Sequence, residues 1–221
     1  MFSTENLREL VAVSASICTI LQFLSGTLVC QKFIQKGSTG DTSPFPFISG
    51  CLSTSVWLRY GFLIQEHSII LVNTIGATLF FAYVVTFYMY SLKKSAVAKQ
   101  FLVCILVLIA ILTYSSMGTD SVEGLEVTRN RVGTVCCIMS IVFFAAPFSS
   151  LLHVIKVQSS ESLPFPLIMA TFVVSCQWYA YGCLIKDTFV QIPNFMGAVL
   201  SGLQLTLFCL FPKKYKPLEQ I

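Results

Sequence analysis

Residues 57–73 and 178–194 are two versions of one pattern. The first reads W-L-R-Y-G-F-L-I-Q-E-H-S-I-I-L-V-N and the second W-Y-A-Y-G-C-L-I-K-D-T-F-V-Q-I-P-N. Trp, Tyr, Gly and Asn recur at one spacing, and the copies lie 121 residues apart in a chain of 221. Pro44-Phe45-Pro46 echoes Pro164-Phe165-Pro166, Gly26 matches Pro147, and Gly76 matches Gly197. A duplication this long constrains the architecture before any single element is considered.

The second constraint is the environment. The chain is 55% hydrophobic and 11% charged, against about 25% charged for soluble domains. Too few polar side chains remain to coat a water-soluble globule. A helix needs about 20 mostly apolar residues to cross a bilayer. Seven such runs are expected, at 10–30, 45–64, 68–90, 98–117, 132–155, 165–185 and 189–211. The connections, at 31–43, 65–67, 91–97, 118–131, 156–163 and 186–188, leave no room for a soluble domain.

Each copy of the pattern spans three crossings, an odd number, so a second copy fused directly would be inverted. The fourth run crosses once more and restores the direction. The expected fold is therefore an all-α membrane protein of seven transmembrane helices, 3+1+3, in which two triple-helix bundles are parallel repeats. The repeats are expected at 8–92 and 131–212, with a linker helix at 98–118 and a short cytosolic tail at 213–221.

Lysine and arginine are unevenly placed. Lys32, Lys36, Lys93, Lys94, Lys99, Lys156, Lys213, Lys214 and Lys216 fall on one side, nine in all, and Arg8, Arg129, Arg131 and Lys186, four in all, on the other. By the excess of basic residues in cytosolic loops, the C-terminus is cytosolic and the N-terminus outside or lumenal. The short polar start lacks the basic region and cleavage site of a signal peptide, so the first run is expected to be a retained span. The net charge of +4 follows this asymmetry and does not suggest a nucleic-acid partner. The nine cysteines show no metal-ligand spacing and read as small apolar residues. No metal and no cofactor is expected.

Trp57 and Asn73 each lie eight residues from Gln65, the centre of the turn between spans two and three. At 1.5 Å per residue both sit ~12 Å below that turn, near the bilayer midplane. Trp178 and Asn194 repeat this about Lys186. A carboxamide offers an acceptor and two donors, which suits vicinal hydroxyls, and an indole offers a flat apolar face. The four residues are the expected sugar site. The plainer readings are hydrogen-bonding between helices for Asn and interface anchoring for Trp; the pairing and the depth weigh against them. Tyr60 and Tyr181, a turn outward, are candidate gates or aromatic-belt residues, and Asp187 lies at the same mouth. Arg59 either snorkels outward or faces the pathway.

Pro147 is placed mid-helix, where it breaks a backbone bond. Pro46 and Pro164 sit near helix starts, and Gly26 is a helix weak point. No Asp or Glu falls inside a span, and His153 is the one titratable side chain expected to be buried. Coupled carriers generally need an intramembrane carboxylate, so uncoupled transport is expected. No nucleophile–base pair or phosphate loop points to an enzyme.

At these residues the chain resembles the SWEET (MtN3/saliva) sugar transporter family, in an animal-type form with a short tail. The resemblance covers nearly the whole chain, and its marks are G-S-T-G, P-F-P-F, W-L-R-Y-G, V-N-T-I-G, P-F-P-L, W-Y-A-Y-G and I-P-N-F-M-G. The family is itself a standard example of parallel-repeat transporters. The resemblance implies facilitated, bidirectional flux of mono- or disaccharides, glucose included, by alternating access. It implies pocket positions at Asn73, Asn194, Trp57 and Trp178, a size-setting pair at Ser53 and Val174, and further lining positions at Thr19, Gln22, Ser140 and Phe143. It implies hinges at Pro46, Pro147 and Pro164, with Gly26 where a fourth proline would stand. It implies outer-gate positions at Tyr60, Gly133, Tyr181 and Asp187. It implies homo-oligomers and residence in the plasma membrane or in Golgi or endosomal membranes. The competing readings are a proton-coupled amino-acid carrier of the PQ-loop type, a seven-span receptor, and a membrane adaptor or trafficking protein.

Overall fold

The computed structural model describes residues 4–117 and 122–212. The tail lysines Lys213, Lys214 and Lys216, together with Asp120, lie outside the described residues. The chain runs α1 (Thr4–Lys36), α2 (Phe45–Ile64), α3 (His67–Tyr90), α4 (Lys94–Ser116), α5 (Val122–Phe143), α6 (Ala145–Val157), α7 (Phe165–Leu184) and α8 (Thr188–Leu210). The apolar stretch of α5 continues into α6, so the described residues hold seven candidate membrane spans. In chain order these are three, one and three. Residues from Ala12 to Ile138 form one compact unit, and those from Met139 onward, with the start of α1, form another.

Several boundaries differ from expectation, two of them widely. α1 runs on to Lys36, well past Cys30, and α5 begins at Val122 within the stretch expected to be a loop. Hydropathy marks only what lipid covers, whereas a helix continues into water while its side chains permit. In α5 Glu123 stands in the first turn, where a carboxylate suits the helix dipole. Glu126 and Arg129, three apart, share a face. The crossing from 123 to 157 is 35 residues long, or ~52 Å at 1.5 Å per residue, much longer than the ~30 Å hydrocarbon core.

The two repeats build their second and third helices alike. Pro44 and Pro164 are the N-cap residues of α2 and α7, and each carbonyl receives two amides, from Phe47 and Ile48 in one and from Leu167 and Ile168 in the other. Proline is tolerated there because first-turn amides have no helical partner. The turns close on left-handed residues, Gln65 at φ 58° and Lys186 at φ 54°. Glu66 and Asp187 then cap α3 and α8 from extended backbone. The Asp187 carboxylate accepts from the Val190 amide at 3.0 Å, while the longer Glu66 makes no such cap bond.

Glycine lets the helices approach. A Cβ on Gly76 would fall 2.7 Å from Phe23 and 2.8 Å from Thr54; on Gly197 it would fall 2.8 Å from Ser175 and 3.3 Å from Phe144. Phe23 and Thr54 lie 121 residues before Phe144 and Ser175, so each repeat makes the same contact. Aromatic packing closes one end of the first unit, where Phe33 meets Phe47 and Phe87 edge-on at 6.3 and 5.5 Å. Leu151, Val154, Leu163, Ile168 and Leu207 form the core at the matching end of the second. α4 packs on α2 and α3 and buries only Val97, Cys104 and Ser115. Between its polar ends, from Leu102 to Leu112, its uncovered surface is apolar, as a lipid-facing helix requires. All nine cysteines are free thiols.

Gly76→Ala is expected to force Phe23 and Thr54 apart and cost about 1–3 kcal/mol. Thermal unfolding of the purified protein in detergent reads it as a lowered transition temperature.

Candidate functional site

Each repeat carries an equivalent set on its second and third helices. Trp57 stacks edge-to-face on Tyr60 with ring centroids 5.7 Å apart at 89°, and Trp178 on Tyr181 at 5.5 Å and 86°. The two tyrosines are 0% and 2% exposed. They are packed supports for the indoles and not residues of an aromatic belt. Trp57 is half-buried and Trp178 buried.

Asn73 and Asn194 are both half-buried. Asn73 donates Nδ2–H to the Ile69 carbonyl and Asn194 to the Val190 carbonyl, each at 2.8 Å. This bond to the preceding turn fixes the carboxamide and satisfies one donor in a medium without water. The carbonyl oxygen and the second N–H of each make no hydrogen bond among the described residues. The left-handed turn residues are Gln65 and Lys186, the two positions from which the ~12 Å was counted.

The remaining candidates divide. Ser53 and Val174, one turn before the indoles, are half-buried; so are Gln22 on α1 and Ser140 and Phe143 on α5. Thr19 is buried and donates to the Ala15 carbonyl at 2.7 Å. Gly133 is buried in α5. Asp187 is 2% exposed and caps α8, which gives it a structural task whatever else it does. His153, expected to be buried, is exposed on α6, because Leu151 and Val154 carry the packed face of that helix.

The hinge candidates are unequal. The crossing that holds Pro147 breaks at Phe144, between α5 and α6. The break is where a proline ring collides with the carbonyl four residues earlier, here that of Phe143. α1 passes through Gly26 unbroken. Its free side is filled by Tyr83, whose ring a Cβ on Gly26 would meet at 2.5 Å. Tyr83 Oη donates to the Phe23 carbonyl at 3.1 Å and takes the Thr27 hydroxyl at 2.9 Å. The matching residue in the second repeat is Gln204, 121 positions on, and its Nε2 donates to the Pro147 carbonyl at 3.0 Å. Pro46 and Pro164 are exposed and do not occupy equivalent places. Pro164 is an N-cap, as Pro44 is, while Pro46 corresponds to Pro166.

Three features escaped the sequence reading. Arg59 donates Nε–H to the buried Ser115 hydroxyl at 3.2 Å, so the guanidinium ties α2 to α4. Tyr83 and Gln204 brace the first crossing of each repeat beside Gly26 and Pro147, visible beforehand only as one more pair at the repeat offset. Pro193 stands buried inside α8 beside Asn194, where it withholds the amide that would bond the Phe189 carbonyl.

Fold and site together define a polytopic membrane protein with an internal repeat and a polar–aromatic set in each copy, the class of the small carriers. A family model described as "Sugar efflux transporter for intercellular exchange" (MtN3_slv) matches residues 9–95 and 130–216. The chain is 50% identical over 219 residues to a protein named Sugar transporter SWEET1 from Drosophila pseudoobscura pseudoobscura, covering 96% of both chains. It is 35% identical to the Caenorhabditis elegans protein of that name, over 96% of this chain and 70% of that one. A solved eukaryotic SWEET transporter superimposes with TM-score 0.81 at 24% identity, over 93% of this chain and 98% of that one, a likeness of fold. The chain belongs to the MtN3/SWEET family, a family of transporters and not of enzymes.

Tyr83→Phe removes the hydroxyl that the Phe23 carbonyl and Thr27 share. It is expected to cost about 1–3 kcal/mol, read as a drop in thermal transition temperature, with Gln204→Leu giving a comparable drop.

Proposed function

We propose that this chain moves mono- or disaccharides across a membrane as a passive, bidirectional uniporter. The observation that carries the reading is the duplicated set in which Asn73 and Asn194 are each held by one N–H with the carbonyl oxygen open. An oxygen so held takes a sugar hydroxyl, and the second N–H takes its neighbour. Trp57 and Trp178, braced by Tyr60 and Tyr181, present flat faces for the C–H face of a pyranose. Binding of this kind involves no bond-making and releases its ligand unchanged. Ser53 and Val174 would set the size of sugar admitted, and Thr19, Gln22, Ser140 and Phe143 would line its passage. Tyr60, Gly133, Tyr181 and Asp187 would bound the outer mouth.

Alternation would use the break before Pro147 together with Gly26, Pro46 and Pro164. The boundaries 8–92 and 131–212 are taken for the repeats, 98–118 for the linker helix and 213–221 for the tail. Uncoupled flux is supported by the carboxylates: among the described residues Asp187 alone is buried, and it caps a helix. The protein is a multi-pass membrane protein. Its N-terminus is proposed to face outside or a lumen, in the plasma membrane or in Golgi or endosomal membranes, with copies assembling into homo-oligomers.

Counterflow of radiolabelled sugars in proteoliposomes tests the site. Asn73→Ala and Asn194→Ala are each expected to abolish flux, at least tenfold, with unchanged yield of folded protein; full transport by both would remove the assignment. Collapsing a pH gradient is expected to leave sugar flux unchanged. A dependence on that gradient would favour a proton-coupled carrier instead.

A further inference from the structure

Two cavities adjoin at the lysine-rich end of α4. One, of about 780 Å³, lies between the end of α3 and the first turns of α4, and Lys93, Lys94 and Lys99 line it with Ser91 and Gly37. The other, of about 390 Å³, is a groove running down between α3 and α4, lined by Phe81, Val85, Tyr88, Phe101, Leu102 and Ile105 among others. No carboxylate lines either one. They meet at the first turn of α4, where Ala96 and Lys99 face the basic cavity and Val97 and Ala98 the apolar groove. Lys94 joins them directly, since its Nζ lies 5.9 Å from the centre of the Tyr88 ring.

Neither cavity has an evident use in moving a sugar. The groove carries only apolar and aromatic side chains apart from the Tyr88 hydroxyl. It lies on the face that α4 leaves uncovered, for that helix buries only Val97, Cys104 and Ser115. A molecule complementary to both would be anionic at one end and hydrocarbon at the other. We propose that this is a binding site for one anionic phospholipid. An acyl chain occupies the α3–α4 groove, and the phosphate-bearing head group sits among Lys93, Lys94 and Lys99. The first turn of α4 contains no acidic residue, and its N-cap, Lys93, makes no side-chain cap bond, so nothing there opposes an anion. The orientation proposed above enters only in naming the cytosolic leaflet, where anionic lipids concentrate, as the source. The ligand chemistry is independent of it.

Native mass spectrometry of the full chain in detergent, titrated in parallel with phosphatidylserine, phosphatidylinositol and phosphatidylcholine, tests this. One anionic lipid per chain is expected to be retained over phosphatidylcholine. The preference should fall about fivefold for each lysine replaced in Lys93→Gln, Lys94→Gln and Lys99→Gln. Ala98→Trp, which fills the groove, should lower retention of every lipid. The headgroup series on the unmodified chain decides even if a variant fails to fold, since equal retention of all three lipids overturns the proposal. Displacement of the lipid by millimolar inorganic phosphate would assign the lysines to a free anion instead. Lipid binding that appears only as oligomers dissociate would assign the groove to a second copy of the chain. Either result also overturns the proposal.

Discussion

Helices in hydrocarbon gain nothing by hiding apolar side chains from one another, so association depends on how closely their backbones approach. In this chain that approach is set at glycine. Gly61 and Gly182 admit the start of the returning helix, with a hypothetical Cβ only 3.0 Å from Ile69 in one copy and from Gln191 in the other. Gly76 and Gly197 do the same deeper in. With two close contacts per hairpin the relative depth of α2 and α3, and of α7 and α8, is fixed. The Trp–Tyr stacks and the anchored asparagines inherit their positions from that register.

The polar side chains follow a second economy. Ser16, Thr19, Thr54, Asn73, Asn194 and Ser201 each bond a carbonyl three or four residues back in their own helix. Polar groups then cross an apolar medium without needing a partner helix. Among the bonds that do run between helices, three fall at places of consequence: Arg59 to Ser115, Tyr83 to Phe23, Gln204 to Pro147. The first joins the linker helix to the first repeat. The other two fasten the third helix of each repeat to its first.

Much of the fold was legible because hydrocarbon imposes a long-wavelength signal. Twenty-residue apolar runs, proline at helix starts and the repeat offset survive in a single sequence, and the turn residues Gln65 and Lys186 could be counted to. The extension of α5 over Glu123–Arg131 was not legible, since charged residues read equally as loop or as a helix standing in water. The partner of Arg59 was not legible either, for a contact across 56 positions leaves no periodic trace. The placement of Trp57, Trp178, Asn73 and Asn194 within their hairpins followed from spacing. Which of their polar atoms stay open depended on a bond to the preceding turn that spacing does not reveal.

The difference between the repeats at the proposed hinge positions has a kinetic meaning. One first helix is interrupted by a single turn residue, Phe144, before its proline, while the other runs whole past Gly26 against the Tyr83 ring. A helix that lacks a backbone bond at its proline bends with less resistance; a continuous one bends only by straining its own hydrogen bonds. In a passive carrier, detailed balance requires the ratio of maximal rate to half-saturation to be equal for entry and exit. It places no such demand on either quantity alone. Unequal stiffness in two otherwise matched halves therefore bears on how fast the proposed carrier turns over, and it cannot move the point at which sugar on the two sides of the membrane comes to rest.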